Sequence, residues 1–124
     1  MTNLEKAKAV AAYMNEHPEG SLEEWNAFAE SQGMIKFEYS DDDWYRNEDY
    51  VVSRIAGKYD VNTIDRYDIE RKTLWKVCLD GEPDTKWVNS LSEAIDRAKE
   101  IVLVKEKDGI EADLNHISFV KKLF

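Results

Sequence analysis

Residues 74–95 read LWKVCLDGEPDTKWVNSLSEAI, and this stretch decides the fold class. Residues 74–79 alternate between the two faces of a predicted strand. After a turn, residues 86–89 are predicted to form a second short strand. After Ser90, apolar residues recur at intervals of three and four, which predicts a helix packed on the hairpin. Residues 67–69 alternate as well, so we expect a three-stranded antiparallel meander covered by a helix.

The chain after this helix has an apolar pattern that fits two structures. Leu114, Ile117, Val120 and Leu123 agree with a last amphipathic helix and also with part of a strand. Both interpretations stay open from the sequence.

Two helices are predicted before the sheet. Thr2, Ser21 and Ser90 each stand three residues before a glutamate, which is the capping-box pattern at a helix N-terminus. The first two boxes predict helices over about residues 3–16 and 22–32. Pro18 separates them, and Gly33 supplies the residue that ends the second helix.

The region between these helices and the sheet is harder to interpret. Residues 34–39 predict a short strand. Ser40 and three aspartates then favour the start of a third helix that would end at Gly57, although Glu48 would lie on its inner face. A strand over residues 50–56 is the competing interpretation. In either case the class is α+β, with two or three N-terminal helices followed by an antiparallel sheet and a packed helix.

The length of 124 residues predicts one domain. We expect it to span residues 1–124, with an acidic helical part at about 1–57 and a neutral sheet-plus-helix part at about 58–124. The single cysteine, Cys78, favours a reducing compartment. The sequence has no pattern of a signal peptide or a membrane span, so we expect a cytoplasmic protein with no membrane partner.

The net charge of −9 is concentrated in one part of the chain. Residues 15–50 carry eleven acidic and two basic residues, whereas the acidic and basic residues cancel from residue 71 onward. Such a surface repels phosphate and attracts basic partners. An acidic excess that serves only solubility is the alternative explanation.

No pattern of catalytic or metal-binding residues stands out. His17, His116 and Cys78 are far apart in the sequence, and the aspartates at 41–43 lack the glycine and the glutamate of a calcium loop. Cys78 lies inside a predicted strand, where a cysteine behaves as a small apolar residue. We therefore expect no enzymatic activity, no cofactor and no metal.

Direct DNA binding by the N-terminal half is also disfavoured. If the first three predicted helices formed a DNA-reading motif, the aspartates at 41–43 would face the phosphates. A weak nucleic-acid binder that uses the C-terminal sheet remains an alternative, as does a small ligand-binding or enzymatic domain with a pocket between sheet and helices.

The sequence best fits a non-catalytic interaction protein that binds a basic, nucleic-acid-processing partner. An inhibitor that mimics DNA or an immunity-type protein, encoded by a phage or mobile element, has these properties. Aromatic side chains supply contact area, and carboxylates steer the basic partner. The candidate partner-binding residues are Glu38, Tyr39, Asp41, Asp42, Asp43, Tyr45, Glu48, Asp49 and Tyr50.

Overall fold

The computed structural model describes residues 1–39, 42–109 and 116–124, and only the backbone of Thr85. The α+β class is confirmed. The chain divides into two compact units, Met1–Arg71 together with Phe124, and Lys72–Leu123. The expectation of one domain stays a prediction.

In chain order the elements are α1 (Asn3–Glu16), α2 (Leu22–Ser31), β1 (Ile35–Glu38), β2 (Asp43–Arg46), β3 (Tyr50–Ile55), β4 (Lys58–Thr63), a 3₁₀ helix (Ile64–Tyr67), β5 (Thr73–Leu79), β6 (Glu82–Val88), α3 (Leu91–Lys107) and β7 (Ile117–Leu123).

The three predicted helix starts are confirmed. The side chains of Thr2, Ser21 and Ser90 each accept a hydrogen bond from the backbone N–H three residues later. Only Thr2 forms the full capping box, in which the glutamate carboxylate also accepts from the N-cap N–H. The carboxylate of Glu93 accepts instead from the backbone N–H of Asn89.

The first unit contains a four-stranded antiparallel meander in the order β1-β2-β3-β4. The predicted third helix is therefore wrong: β2 and β3 occupy that region, and β3 lies where the competing strand was expected. Ser40, the predicted cap, lies outside the described residues. The strand over 34–39 is confirmed as β1.

Burial on both faces of this sheet explains why the spacing of apolar residues led to the wrong prediction of a helix. Adjacent residues of a strand point to opposite faces. On one face Tyr45 and Val52 pack with the helices, and on the other Trp44 and Val51 pack with Ile64 of the 3₁₀ helix. Two covered faces produce consecutive apolar pairs, which resemble the spacing on a helix more than the alternation of a half-exposed strand.

Asn47 forms the turn between β2 and β3. Its side-chain oxygen accepts from the backbone N–H groups of Asp49 and Tyr50, at 3.0 and 2.8 Å. Its amide nitrogen donates to the backbone oxygen of Asn3 in α1 at 2.9 Å. This buried turn ends β2 at the position where a third helix would have continued.

The second unit differs from the predicted meander in its third strand. The sheet order is β6-β5-β7, with both outer strands antiparallel to β5. Residues 64–67 form the 3₁₀ helix of the first unit, and β7 pairs with the whole length of β5 instead. The strand interpretation of the C-terminal pattern is thus the correct one for Ile117–Leu123, while Leu114 lies outside the described residues.

Helix α3 covers one face of this sheet. Ala94 and Ala98 pack against Val77 and Val88, with Trp75 at the edge of the cluster. Within the described ranges, no helix is both long enough and apolar enough to cross a bilayer.

Candidate functional site

The candidate residues lie at two opposite ends of the first sheet. Strands β1 and β2 are joined at one end, which carries Glu38, Tyr39, Asp42 and Asp43, whereas Glu48 and Asp49 lie in the turn at the other end. A strand of four residues spans roughly 13 Å. The predicted set therefore does not form one continuous surface, and Asp41 lies outside the described residues.

The fold brings a second acidic segment to the end that carries Glu38. The end of α1 reaches β4 there, because Asn15 exchanges two hydrogen bonds with the backbone of Tyr59. The first turn of α2 follows, with the Trp25 ring 5.7 Å from the Tyr59 ring. We define the acidic end by the acidic residues Glu16, Glu19, Glu23, Glu24, Glu38, Asp42 and Asp43.

The acidic end has an excess of negative charge among the described residues. Its seven carboxylates are accompanied by three basic residues, Lys36, Arg54 and Lys58. Lys36 forms an ion pair with Asp43 at 3.2 Å. In the described part of the chain, five of the carboxylates form no ion pair: Glu16, Glu19, Glu23, Glu24 and Glu38.

Two tyrosines at this end differ in burial: Tyr59 is partly buried and Tyr39 is exposed. Burial raises the pKa of Tyr59; Arg54 opposes the shift, and the negative charges of Asp43 and Asp42 add to it. Tyr39 is 49% exposed and stacks on Trp44, with ring centroids 4.8 Å apart. Its hydroxyl donates to the backbone oxygen of Tyr67 at 3.1 Å, so the exposed ring is held in place.

The opposite end is closer to neutral and has structural contacts. Asp49 accepts a hydrogen bond from Asn3 at 2.9 Å and lies 3.9 Å from the guanidinium of Arg71. Arg71 also lies 3.9 Å from Asp65 and donates to the backbone oxygen of Glu48. Glu48 and Asp49 therefore belong to a turn that anchors helix α1 and the segment after the 3₁₀ helix.

Tyr45 and Tyr50 belong to the core on the helix side of the sheet. Tyr45 is fully buried, and its hydroxyl donates to Asn26 of α2. Tyr50 is half-buried and packs against the same cluster. The described surface candidates at the acidic end are thus Glu38, Tyr39, Asp42 and Asp43.

The sequence analysis missed Arg46, which is only 4% exposed. Its Nη1 donates to the backbone oxygen of Glu70 at 3.0 Å, and its guanidinium lies 5.9 Å from the centre of the Phe37 ring. Burial, and then the charge of Arg71, lowers the pKa of Arg46. The available signal was its position as one of only two basic residues between 15 and 50.

The second unit contains a cavity of about 310 Å³ between the β5–β6 hairpin and α3. Asp80, Glu82 and Asp84 line it, but Arg97 holds Asp84 in an ion pair at 2.8 Å. Among the described residues, no group of three His, Cys, Asp or Glu side chains is arranged to hold a metal ion.

Comparison with known proteins gives no match. No family model matches the chain, and no curated protein or solved structure matches it significantly.

Proposed function

We propose that this protein is a non-catalytic binding protein whose acidic end contacts a basic surface of a nucleic-acid-processing protein. The observation that carries the proposal is the convergence of two acidic segments at one end of the first sheet. The α1–α2 connection and the β1–β2 hairpin are separate in sequence. The Trp25 ring of α2 lies 5.7 Å from the Tyr59 ring, and the charges of Asp43 and Asp42 help to raise the pKa of the same tyrosine.

The composition of this end supports a protein partner. A cluster of carboxylates attracts a basic surface over about one Debye length and increases the rate of association. Tyr39 adds an exposed aromatic ring with a fixed orientation, which costs little side-chain entropy on binding. Carboxylates in place of phosphates would let this end compete with nucleic acid for a basic groove.

The test compares two variants that remove the same charge. Glu38→Gln with Asp42→Asn removes two charges from the acidic end, and Asp96→Asn with Glu106→Gln removes two from exposed positions of α3. Wild type and both variants are immobilised, incubated with lysate of the source cell and eluted with a salt gradient. A captured basic protein is then purified, and its Kd is measured at several salt concentrations.

We expect the acidic-end variant to bind that protein about 2- to 30-fold more weakly, with a smaller dependence on salt. The α3 variant should bind like wild type, and an excess of DNA duplex should displace the partner. Equal binding by both variants would show that the acidic end is not the contact. If no basic protein is retained, the acidic charge serves solubility alone and the proposal fails.

A further inference from the structure

Three buried side-chain donors on one face of β2 have no acceptor. Arg46 Nε, Arg46 Nη2 and Trp44 Nε1 are buried and have no hydrogen-bond partner among the described residues. Trp44 and Arg46 are two positions apart in one strand, so both side chains lie on the same face of the sheet. Buried polar groups are hydrogen-bonded in the large majority of cases, so this concentration of unsatisfied donors requires an explanation.

The two nitrogens of Arg46 without an acceptor, Nε and Nη2, lie on one edge of its guanidinium. In a guanidinium, the Nε–H and Nη2–H bonds are nearly parallel, and together they match the two oxygens of a carboxylate or phosphate. Nη1, on the other side, is already bonded to the backbone oxygen of Glu70. The edge that remains can donate two hydrogen bonds to one oxyanion.

Arg97 in the second unit shows this edge when it is occupied. Its Nε donates to Asp84 Oδ2 at 2.8 Å, and its Nη2 donates to Asp84 Oδ1 at 3.3 Å. The hydrogen bond to Asp84 raises the pKa of Arg97, whereas burial lowers that of Arg46. The Nε–Nη2 edge therefore has a carboxylate acceptor in Arg97 and no acceptor among the described residues in Arg46.

We propose that the Nε–Nη2 edge of Arg46 binds the oxyanion group, carboxylate or phosphate, of a small ligand, with Trp44 Nε1 as a further donor. Arg71 lies close enough to affect Arg46 electrostatically, and Asp49 and Asp65 each lie 3.9 Å from its guanidinium. Arg46 is the last residue of β2 and lies at the opposite end of that strand from the acidic end, whereas Trp44 lies next to Asp43.

Entry of a ligand requires movement of the segment that covers Arg46. Residues 69–71 follow the 3₁₀ helix, and the backbone oxygen of Glu70 contacts Nη1. Ile69 packs against the cluster of Trp44, Val51 and Ile64. The other polar contacts of this segment are long. The Ile69 N–H reaches the Ile64 oxygen at 3.5 Å, Arg71 Nε reaches the Glu48 oxygen at 3.4 Å, and both ion pairs of Arg71 measure 3.9 Å. A bidentate bond to an oxyanion would offset the loss of these weak polar contacts, and the segment can move at Glu70 and Arg71 while Ile69 stays packed.

The direct test observes the donor atoms in the wild-type protein. Sodium phosphate and sodium acetate are titrated separately into ¹⁵N-labelled protein, with sodium chloride at matched ionic strength as the reference. We expect the Nε–H resonance of Arg46 and the indole resonance of Trp44 to shift and saturate with at least one of the two oxyanions. The Nε–H resonance of Arg97 should stay in place, because Asp84 occupies its edge. Saturation with phosphate alone indicates a phosphoryl ligand, and saturation with acetate alone indicates a carboxylate.

A pair of variants provides the second measurement. Arg46→Lys keeps the charge but removes the two-donor edge. The affinity for the oxyanion, measured in a thermal-shift titration, should therefore fall about tenfold or more. Arg97→Lys is the matched control and should respond like wild type. If the Arg46 and Trp44 resonances of wild type stay unchanged, or follow chloride equally, the edge binds no anion and the proposal is wrong, whether or not Arg46→Lys folds.

Discussion

The hydroxyl of Tyr45 illustrates how a buried ionisable side chain affects the stability of the first unit. Burial is the main cause of the raised pKa of Tyr45, and the charge of Asp43 is the second. The ring fills the space between the sheet and α2, and the hydroxyl must keep its proton to donate to Asn26. Ionisation of Tyr45 in the native state is therefore unfavourable.

The stability of the protein should fall at high pH for this reason. An unfolded tyrosine titrates near pH 10, and the folded group titrates higher, so the unfolded state releases its proton first. The contribution of Tyr45 to the free energy of unfolding is present below about pH 10 and is lost as the pH rises through the folded value. Urea denaturation from pH 8 to pH 11 measures this loss.

Tyr45→Phe should reduce the slope of stability against pH above about pH 10. The slope will not vanish, since burial raises the pKa of Tyr59 as well. Tyr13→Phe is a suitable control, because within the described ranges the Tyr13 ring stacks on His17 and Phe28 and its hydroxyl forms no hydrogen bond. An identical slope for Tyr45→Phe and wild type would contradict the assignment.

At the scale of elements, the helix starts and the β5–β6 hairpin could be predicted, whereas the pairing of β2 with β3 and of β7 with β5 could not. A cap depends on residues within one turn, so Thr2, Ser21 and Ser90 were sufficient to place three helices. The β2–β3 hairpin depends on the burial of both its faces, which no local pattern contains. Asn47 is a residue type that favours turns, but the apolar residues on either side of it also fitted the spacing of a helix.

The cap of α3 provides a stability test. Ser90→Ala removes the hydrogen bond from the Glu93 N–H to the serine oxygen, and we expect a loss of about 1 kcal/mol in the free energy of unfolding. Ser92→Ala is the matched control, because Ser92 is exposed inside the helix and alanine has the higher helix propensity. Urea denaturation of both variants gives the comparison, and an equal stability for the two would exclude a role for the cap.

At the scale of the whole chain, charge is distributed unevenly between the two units. Residues 1–71 contain sixteen acidic and eight basic residues, and one of these bases, Arg46, is buried. The second unit is nearly neutral by the same count. Repulsion within the first unit should therefore oppose its folding at low ionic strength.

Added salt should stabilise the protein. Between about 0.01 M and about 0.15 M sodium chloride the Debye length shortens from roughly 30 to 8 Å, which screens this repulsion. The midpoint of thermal unfolding should rise by about 4 °C for each ~1 kcal/mol of repulsion relieved. The variant Glu38→Gln with Asp42→Asn should show a smaller rise. A midpoint that falls with salt would mean that attractive ion pairs dominate.

The candidate site was predictable in charge and not in arrangement. The excess of acid in residues 15–50 could be counted, but the structure separates Glu38 from Glu48 and buries Tyr45. Arg46 was overlooked because its significance depends on which of its nitrogens have acceptors, a property of the packed structure alone.

Local chemistry in the chain was enough to establish the α+β class, the helix N-termini and the acidic excess, because each depends on neighbouring residues or on composition. Packing over long sequence distances decided the rest. It paired β7 with β5, covered both faces of the first sheet, placed the α1–α2 connection and the β1–β2 hairpin at the same end of that sheet, and left one edge of Arg46 without an acceptor among the described residues. The physical reason is that strand pairing and burial are satisfied between residues far apart in sequence, whereas helix caps and turns are satisfied within a few residues.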